Sequence, residues 1–418
     1  MLADYYSSPL TLERLRCGIL APFVDGFVDQ LEAKGYTPTS VRAYLSTAAH
    51  LGFWGANQEL QAGDLDETMI RAFLDHLPSC TCFRRNTGKY EAVPGHLGFL
   101  LGRLREQGIL ERRATDGPAS EPGLLHDFRQ WMLKHRGVTE ATLNSYRPVL
   151  AGLLDTVEGD VGRLGPANIR AFVMQWGRRH TRSSTAGATG AMRMFLRYLA
   201  IEGRVHPGLV CAVPSMANWA LSSLPRYLPA ADIEKIVGHW EPTSELGARN
   251  RAILLLLARL GLRAGDVVSM KLNDIDWTQA TIRVCGKGRC EALLPLTQEV
   301  GDALIAHLAY RRHRGNDIHV FVRARAPFRP LSAHGTVSVM VARTLARAGI
   351  HSPVRGAHVL RHSAATQMLR EGASLQSIGS VLRHRSIDTT EQYAKVDVKT
   401  LQLVAQPWPE VANVDRSR

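Results

Sequence analysis

The N-terminal half of the chain contains an internal repeat, and this repeat limits the architectures that the chain can adopt. Residues 35–39, 70–73 and 99–104 recur in the same order as residues 137–141, 169–172 and 194–199, at offsets of 102, 99 and 95 residues. The middle segment is IRAF in both copies. Each copy joins a Thr-bearing turn to apolar residues at helical spacing. The repeat therefore predicts two small domains of about four helices each.

Length and charge point to a folded protein of several domains with a polyanionic partner. At 418 residues, with 45% hydrophobic and 21% charged residues, the chain is too long for one ordinary core and has the composition of a globular protein. Its formal net charge of +13 attracts polyanions, so nucleic acid is the leading partner. A basic but inert surface is the alternative.

No membrane segment or leader is expected. The longest strongly apolar run, residues 252–258, stops at Arg259 and is far shorter than the roughly 20 residues that cross a bilayer. The N-terminus carries Asp4 and Glu13 and lacks an apolar core with a cleavage site, which indicates a cytoplasmic start.

The cysteines favour a reducing compartment, since the six are scattered without a disulfide framework. Cys80 and Cys82 lie between His76 and His96, which suggests a zinc site. C-x-C with distant histidines is nevertheless a weak match to known ligand spacings. We therefore interpret the pair as free thiols on a loop and predict no metal.

Two Pro- and Gly-containing stretches, residues 113–122 and 215–229, are interpreted as linkers. They divide the chain into helical domains at 1–112 and 123–214, a catalytic domain at 225–409 and a loose tail at 410–418. In the third domain we predict helices from Asp232 and over 249–260, and a β-hairpin formed by 281–284 and 292–296. The predicted fold is mainly α with a small β-hairpin or sheet in the catalytic domain (α+β).

Separate polar motifs follow one another in the third domain. Arg263, with Asp266 after it, lies just past a buried helix. His358 and Arg361 are spaced i and i+3, so both project from one helical face. His384 and Tyr393 are separated by one short element. Each motif alone is weak evidence, and their joint order is the informative signal.

These motifs resemble those of the tyrosine recombinase (phage integrase) family over residues 224–393, and residues 123–214 are similar to its helical core-binding domain. The resemblance implies that Arg263 and Arg361 bind the phosphate and that Tyr393 is the nucleophile. Lys287 matches the hairpin lysine, and the two histidine positions are His358 and His384. The chain departs from the family pattern in a few places: Asp266 stands where glutamate is commoner, Arg383 where glycine is usual, and Cys290 and Ala292 where basic residues are common.

The chemistry of a phosphodiester can also be argued from the residue types. Two guanidinium groups suit the charged non-bridging oxygens because each donates parallel hydrogen bonds and stays charged. A tyrosine with a pKa near 10 needs a proton acceptor, for which His358 is the candidate. Lys287 is the candidate general acid for the leaving 5′ oxygen, and His384 the donor to a non-bridging oxygen. No cofactor and no metal are expected.

The partners we expect are double-stranded DNA and further copies of the chain. In the family, a final apolar segment, here from Val396 to Val404, commonly docks on a neighbouring subunit, which implies a homotetramer on paired sites, with or without other recombinases. Basic and hydroxyl side chains suited to phosphates, or else to a solvated face, lie within the second repeat copy and the hairpin. These candidate DNA-binding residues are Arg178, Arg179, Arg182, Ser183, Arg193, Arg197 and Arg289.

The sequence thus predicts a site-specific DNA recombinase or integrase that forms a 3′-phosphotyrosyl intermediate, in the cytoplasm and at the nucleoid. Integration, excision or transposition of a mobile element is the expected role. Two alternatives remain open. Residues 375–390 could form the helix-turn-helix of a non-catalytic regulator, and a type IB topoisomerase-like enzyme would share the chemistry.

Overall fold

The structure is a computed structural model that describes residues 2–80, 82, 91–111, 123–216, 226–285, 291–311, 318–331, 334–352, 354, 356–384 and 388–396. It is mainly helical with a small antiparallel sheet, as predicted. The chain forms two compact units, one of Met1–Arg103 with Leu221–Arg418 and one of Leu104–Ala220. The finer division into three domains and a tail stays a prediction. In the described part of the chain, no helix is both long and apolar enough to span a membrane.

Two helices of the first repeat copy, α3 and α4, begin at clear capping residues. Thr37 accepts a hydrogen bond from the Ser40 amide at 3.3 Å, and Asp66 accepts one from the Met69 amide at 2.7 Å. Such caps satisfy amides that have no partner within the helix. The helices are α1 (Pro9–Arg16), α2 (Val24–Ala33), α3 (Pro38–Asn57), α4 (Glu67–His76) and α5 (Val93–Glu106).

The second copy repeats the order of α2 to α5. Thr139 caps its second helix as Thr37 caps α3. Phe172 of its IRAF segment is buried, as Phe73 is in the first copy. The sequence repeat therefore reflects repeated helix starts and core positions. The helices are α6 (Gly123–Arg136), α7 (Glu140–Asp155), α8 (Pro166–Arg179) and α9 (Arg182–Ile201).

The third region is organised around one central helix. Ile253 to Leu257 are at most 2% exposed, and this helix packs against five other helices of the same region. A helix that is apolar all round has to be surrounded by protein, which explains the position of this one. The helices of the region are α10 (Ala230–Gly238), α11 (Glu245–Ala258, the central helix), α12 (Ala264–Ser269), α13 (Gln298–Arg311), α14 (His334–Arg347), α15 (His358–Arg370), α16 (Leu375–Leu382) and α17 (Asp388–Glu391).

A three-stranded antiparallel sheet lies in the same region. Its strands are β1 (Ile275–Asp276), β2 (Thr281–Cys285) and β3 (Glu291–Pro295), in the order β1-β2-β3. Thr281 pairs with Pro295 and Cys285 with Glu291, so β2 and β3 form the predicted hairpin. Its turn, residues 286–290, lies outside the described residues. Strand β1 was not predicted, because two residues are too few to show alternation.

Candidate active site

Helix α15 places the paired histidine and arginine of the sequence motif. His358 is its first residue, and Arg361 lies one turn later with only 2% of its surface exposed. Arg361 donates to the carbonyl of Gly261 at 2.5 Å and also to the carbonyl of Leu382. Desolvation, followed by repulsion from Arg263, lowers the pKa of Arg361 to about 10. The guanidinium therefore remains charged at neutral pH while it joins two separate chain segments.

The turn after α11 positions Arg263. Gly261 has a φ of +59°, and a Cβ added there would lie 2.6 Å from a methyl carbon of Leu382. Glycine is required here on both counts. Arg263 then caps α12, its amide donating to Asp266 at 2.9 Å and its guanidinium to the carbonyl of Arg383 at 3.2 Å. The second arginine is thereby held beside the end of α16.

Two of the departures from the family pattern, Asp266 and Arg383, meet in one buried ion pair. Arg383 ends α16 with φ 55° and ψ 50°, a left-handed conformation that favours glycine. Its guanidinium is bonded to the carboxylate of Asp266, and the two side chains are 7% and 6% exposed. This contact gives a physical reason for having both residues in one chain.

Tyr393 is buried against helices α15 and α16. It is 1% exposed and packs with Ala365, Ile378 and Leu382. Its hydroxyl lies 2.8 Å from Nδ1 of His362. Burial raises the pKa of Tyr393 to about 12, against the opposing effect of Arg361. The phenol is therefore protonated at neutral pH in this arrangement.

The histidines near Tyr393 are held neutral by their surroundings. His384 lies 2.7 Å from the Thr390 hydroxyl, and its ring is nearly parallel to that of Tyr393 at a centroid distance of 6.5 Å. Desolvation and then nearby positive charge lower the pKa of both His384 and His362 to about 4. The pKa of His358 is lowered in the same way, by partial desolvation and then by Arg361 and Arg263. Neutral imidazoles can accept protons, as general bases must.

An open cavity of about 510 Å³ gives access to the two arginines. Its lining includes Arg263, His358 and Arg361, together with Cys285 at the end of β2. The structure thus brings five of the six predicted catalytic residues into one neighbourhood: Arg263, His358, Arg361, His384 and Tyr393. Lys287 and Arg289 follow Cys285 in the chain and lie outside the described residues.

The candidate DNA-binding side chains of the second repeat copy are found in two different situations. Arg178, Arg179, Arg182, Ser183 and Arg197 are exposed, on α8 and α9. Arg193 is partly buried and donates to the carbonyls of Val213 and Pro214, at 3.2 and 2.8 Å. Its guanidinium therefore has a structural role, and contact with DNA stays a prediction for all six.

His362, the residue in contact with the Tyr393 hydroxyl, was not among the predicted site residues. A signal was present, since His362 follows Arg361 directly and lies one helical turn after His358. The ring centroids of His358 and His362 are 4.4 Å apart. The proton acceptor predicted from the sequence, His358, thus has a neighbour that is better placed in this arrangement.

Comparison with known proteins identifies the family. The sequence profile of the phage integrase family matches residues 226–400. The chain is 34% identical to the integrase/recombinase y4rA of Sinorhizobium fredii, over 97% of this chain and 98% of that protein. It is 30% identical to tyrosine recombinase XerD of Xanthomonas campestris, over 72% of this chain and 94% of that protein.

Solved structures agree on the fold. The XerH site-specific recombinase in a post-cleavage complex with its difH substrate superposes with a TM-score of 0.54 at 20% identity, over 68% of this chain and 85% of that one. The chain belongs to the phage integrase family of tyrosine recombinases. It is therefore a site-specific DNA recombinase.

Proposed function

We propose that this recombinase cuts and rejoins duplex DNA through a 3′-phosphotyrosyl bond at Tyr393. The observation that carries the proposal is the convergence of Arg263, Arg361 and three histidines on the neighbourhood of the buried Tyr393 hydroxyl. A structural tyrosine would not need two guanidinium groups beside it. Preorganised cations are what a phosphoryl transfer requires, because charge builds up on the non-bridging oxygens.

The two arginines would hold the scissile phosphate. Each guanidinium has five N–H donors, so Arg361 can bind the Gly261 and Leu382 carbonyls and still offer donors to a phosphate. Those carbonyls fix its orientation before DNA arrives. An arginine that is oriented in advance loses less entropy on binding, which favours the transition state.

In the cleavage step, the Tyr393 oxygen bonds to phosphorus as the bond from phosphorus to the 5′ oxygen breaks. We assign the phenol proton to His362, because its Nδ1 lies 2.8 Å from the hydroxyl. Lys287 would protonate the leaving 5′ oxygen. In the reverse step a 5′ hydroxyl attacks the phosphotyrosine, so no nucleotide cofactor is consumed. The geometry supports His362 over His358 as the acceptor, and His358 then faces the phosphate from the cavity.

Binding of DNA would activate the site. In the absence of an anion, burial and then nearby positive charge, including that of Arg361, lower the pKa of His358, His362 and His384. A phosphate placed between them offsets that positive charge and raises the pKa of each histidine. The proton acceptor therefore becomes a stronger base when the substrate is bound.

The biological role we propose is integration, excision or transposition of a mobile element, by a homotetramer on paired sites. Support comes from how much of the chain each relative matches. The y4rA protein aligns with 97% of this chain. XerD of Listeria monocytogenes aligns over 94% of its own length but with only 65% of this chain. The chain shares its additional length with an integrase/recombinase. The transposon Tn1549 integrase, in complex with circular intermediate DNA, also has this fold, with a TM-score of 0.51 over 67% of this chain and 98% of that one, at 13% identity.

The test uses labelled duplexes taken from the DNA that flanks the gene, each with a nick that traps the covalent intermediate. The wild type is expected to form a protein–DNA adduct, and Tyr393→Phe to form none while it still binds DNA. Tyr310→Phe, which changes an exposed tyrosine that bonds to the Pro242 carbonyl, is the matched control. An adduct with Tyr393→Phe would sink the proposal. Joining of two sites, as opposed to relaxation of supercoils alone, separates a recombinase from a topoisomerase.

A further inference from the structure

Four metal-ligating side chains meet in the first repeat copy, and none of them belongs to the constellation around Tyr393. His50 lies in α3, His76 is the last residue of α4, and Cys80 and Cys82 follow a short 3-10 helix, Leu77–Ser79. One donor atom from each residue lies within 4.8 Å of the other three. Cys80 Sγ is 3.1 Å from His50 Nε2, and Cys82 Sγ is 3.3 Å from His76 Nε2.

These distances are close to those of a tetrahedral zinc site. With Zn–S near 2.3 Å and Zn–N near 2.0–2.1 Å, donor atoms around one ion are separated by roughly 3.3–3.8 Å. A sulfur–nitrogen pair in that geometry is separated by about 3.6 Å. The two sulfur–nitrogen contacts seen here, at 3.1 and 3.3 Å, are shorter by a few tenths of an ångström. The Cys82 amide also donates to Cys80 Sγ at 3.3 Å, a contact that supports a thiolate.

The kind of metal follows from the ligands. Two thiolates with two imidazoles are the Cys2His2 set that favours zinc over magnesium or calcium, which prefer oxygen. Four protein ligands fill a tetrahedral shell and leave no position for substrate, so the site would be structural. Among the residues that the structure describes, this is the group of ligating side chains that meets these conditions.

The surroundings suit a structural ion. Phe73 is fully buried, and its ring lies 5.2 Å from that of His50 and 6.4 Å from that of His76. Trp54, 7% exposed, packs against Phe73 at 5.5 Å. An ion there would fasten the end of α4 and the segment that follows it to the middle of α3.

We propose that His50, His76, Cys80 and Cys82 bind one zinc ion that stabilises the N-terminal helices. From the sequence we expected free thiols, and His96 was the histidine considered together with His76. His96 instead contacts the Thr47 hydroxyl at 2.9 Å. His50 takes that place, from 30 residues before Cys80. The proposal is independent of the recombination mechanism.

The test measures zinc in the full-length chain, purified without a metal-affinity tag. We expect about one zinc per chain in the wild type and loss of most of it in Cys80→Ser and in His76→Gln. Cys17→Ser, which removes an exposed thiol from the same region, is the matched control and should retain the metal. Equal zinc content in the control and in both ligand variants would overturn the proposal, as would a zinc-free wild type after growth with added zinc.

A second measurement covers the case in which the variants do not fold. In wild-type protein, Cys80 and Cys82 should resist alkylation until a chelator removes the ion, while Cys17 and Cys211 react throughout. Protection that a reductant abolishes and a chelator does not would indicate a disulfide and contradict the proposal. Substitution with cobalt should give the visible absorption of a tetrahedral thiolate site, and an octahedral spectrum would also contradict it.

Discussion

The guanidinium of Arg383 is bonded to the carboxylate of Asp266 in a nearly buried ion pair at the edge of the cavity that Arg263 and Arg361 line. Asp266 also accepts from the amide of Arg263, so the pair connects the end of α16 to the start of α12. The two segments that carry Arg263 and His384 are thereby held together by residues that do not themselves perform the chemistry.

This ion pair predicts non-additive effects of mutation. Arg383→Gly relieves a left-handed backbone cost of roughly 1–2 kcal/mol. It also leaves Asp266 buried without its partner, which costs about 3–5 kcal/mol. The single variant should therefore be less stable, and Arg383→Gly with Asp266→Asn should recover part of the loss. A double-mutant cycle by urea titration should give a coupling on the order of 1–3 kcal/mol. If the losses of unfolding free energy in the two single variants simply added up in the double variant, the ion pair would contribute nothing to stability.

The two arginines should respond differently to replacement by lysine. Arg361→Lys removes donors from the buried carbonyls of Gly261 and Leu382, each worth about 1–3 kcal/mol if left unsatisfied, and lowers cleavage on the order of 10²–10³-fold. Arg263→Lys should lower cleavage with a smaller loss of stability, because its side chain is partly exposed. Single-turnover cleavage and urea unfolding measure the two effects. Equal losses of stability would count against the anchoring role of Arg361.

His362 and His384 should titrate near pH 4, well below their ordinary pKa of 6.5. NMR of labelled histidine measures this directly, and vanadate bound between the arginines should raise both values. The folded-state pKa lies below the unfolded value, so the unfolded chain binds more protons in between. The stability that these histidines contribute is full above about pH 6.5 and is lost as pH falls towards about 4. Titration near 6.5 without vanadate would be inconsistent with the burial of these histidines and with their positively charged surroundings.

Gly261→Ala should disrupt the site, whereas Gly265→Ala should not. The first places a Cβ in a left-handed residue, at roughly 1–2 kcal/mol, and pushes against Leu382, whose carbonyl binds Arg361. An added Cβ at Gly265, within α12, meets no atom within 4 Å. The thermal unfolding temperature and the yield of covalent adduct should therefore fall only in Gly261→Ala. If both variants had the same unfolding temperature and adduct yield, the turn at Gly261 would not be needed to hold Arg361 in place.

Salt dependence should distinguish arginines that bind DNA from those that bind protein. If Arg178 and Arg179 each contact a phosphate, replacement of either by Ala should reduce the slope of log affinity against log salt by about 0.9. Arg193→Ala should chiefly lower stability, since its guanidinium binds the Val213 and Pro214 carbonyls. Binding isotherms at several salt concentrations check this. An unchanged slope for Arg178→Ala would remove that residue from the interface.

The sequence predicted what depends on local patterns. Helix starts at Thr37 and Thr139, the hairpin of β2 and β3, and the shared face of His358 and Arg361 all follow from neighbouring residues. Capping residues, alternation and helical spacing involve only a few neighbouring residues, so they can be recognised in the sequence without a structure.

Contacts between distant segments could not be predicted in this way. The His362–Tyr393 contact spans 31 residues, the Arg383–Asp266 pair 117, and His50 approaches Cys80 across 30. Each depends on how helices pack, and no local period records that. The left-handed backbone at Arg383 was also hidden, because the strain is offset by a tertiary ion pair.

The burial of Tyr393 suggests how the enzyme avoids cutting chromosomal DNA at arbitrary positions. Its hydroxyl lies 2.8 Å from Nδ1 of His362 and its side chain is 1% exposed. If Tyr393 is the nucleophile, as we propose, residues 388–396 have to shift before it can attack a DNA strand. We expect that shift to require a correct site and neighbouring copies. A solitary molecule resting on an arbitrary stretch of genome would then leave it unbroken.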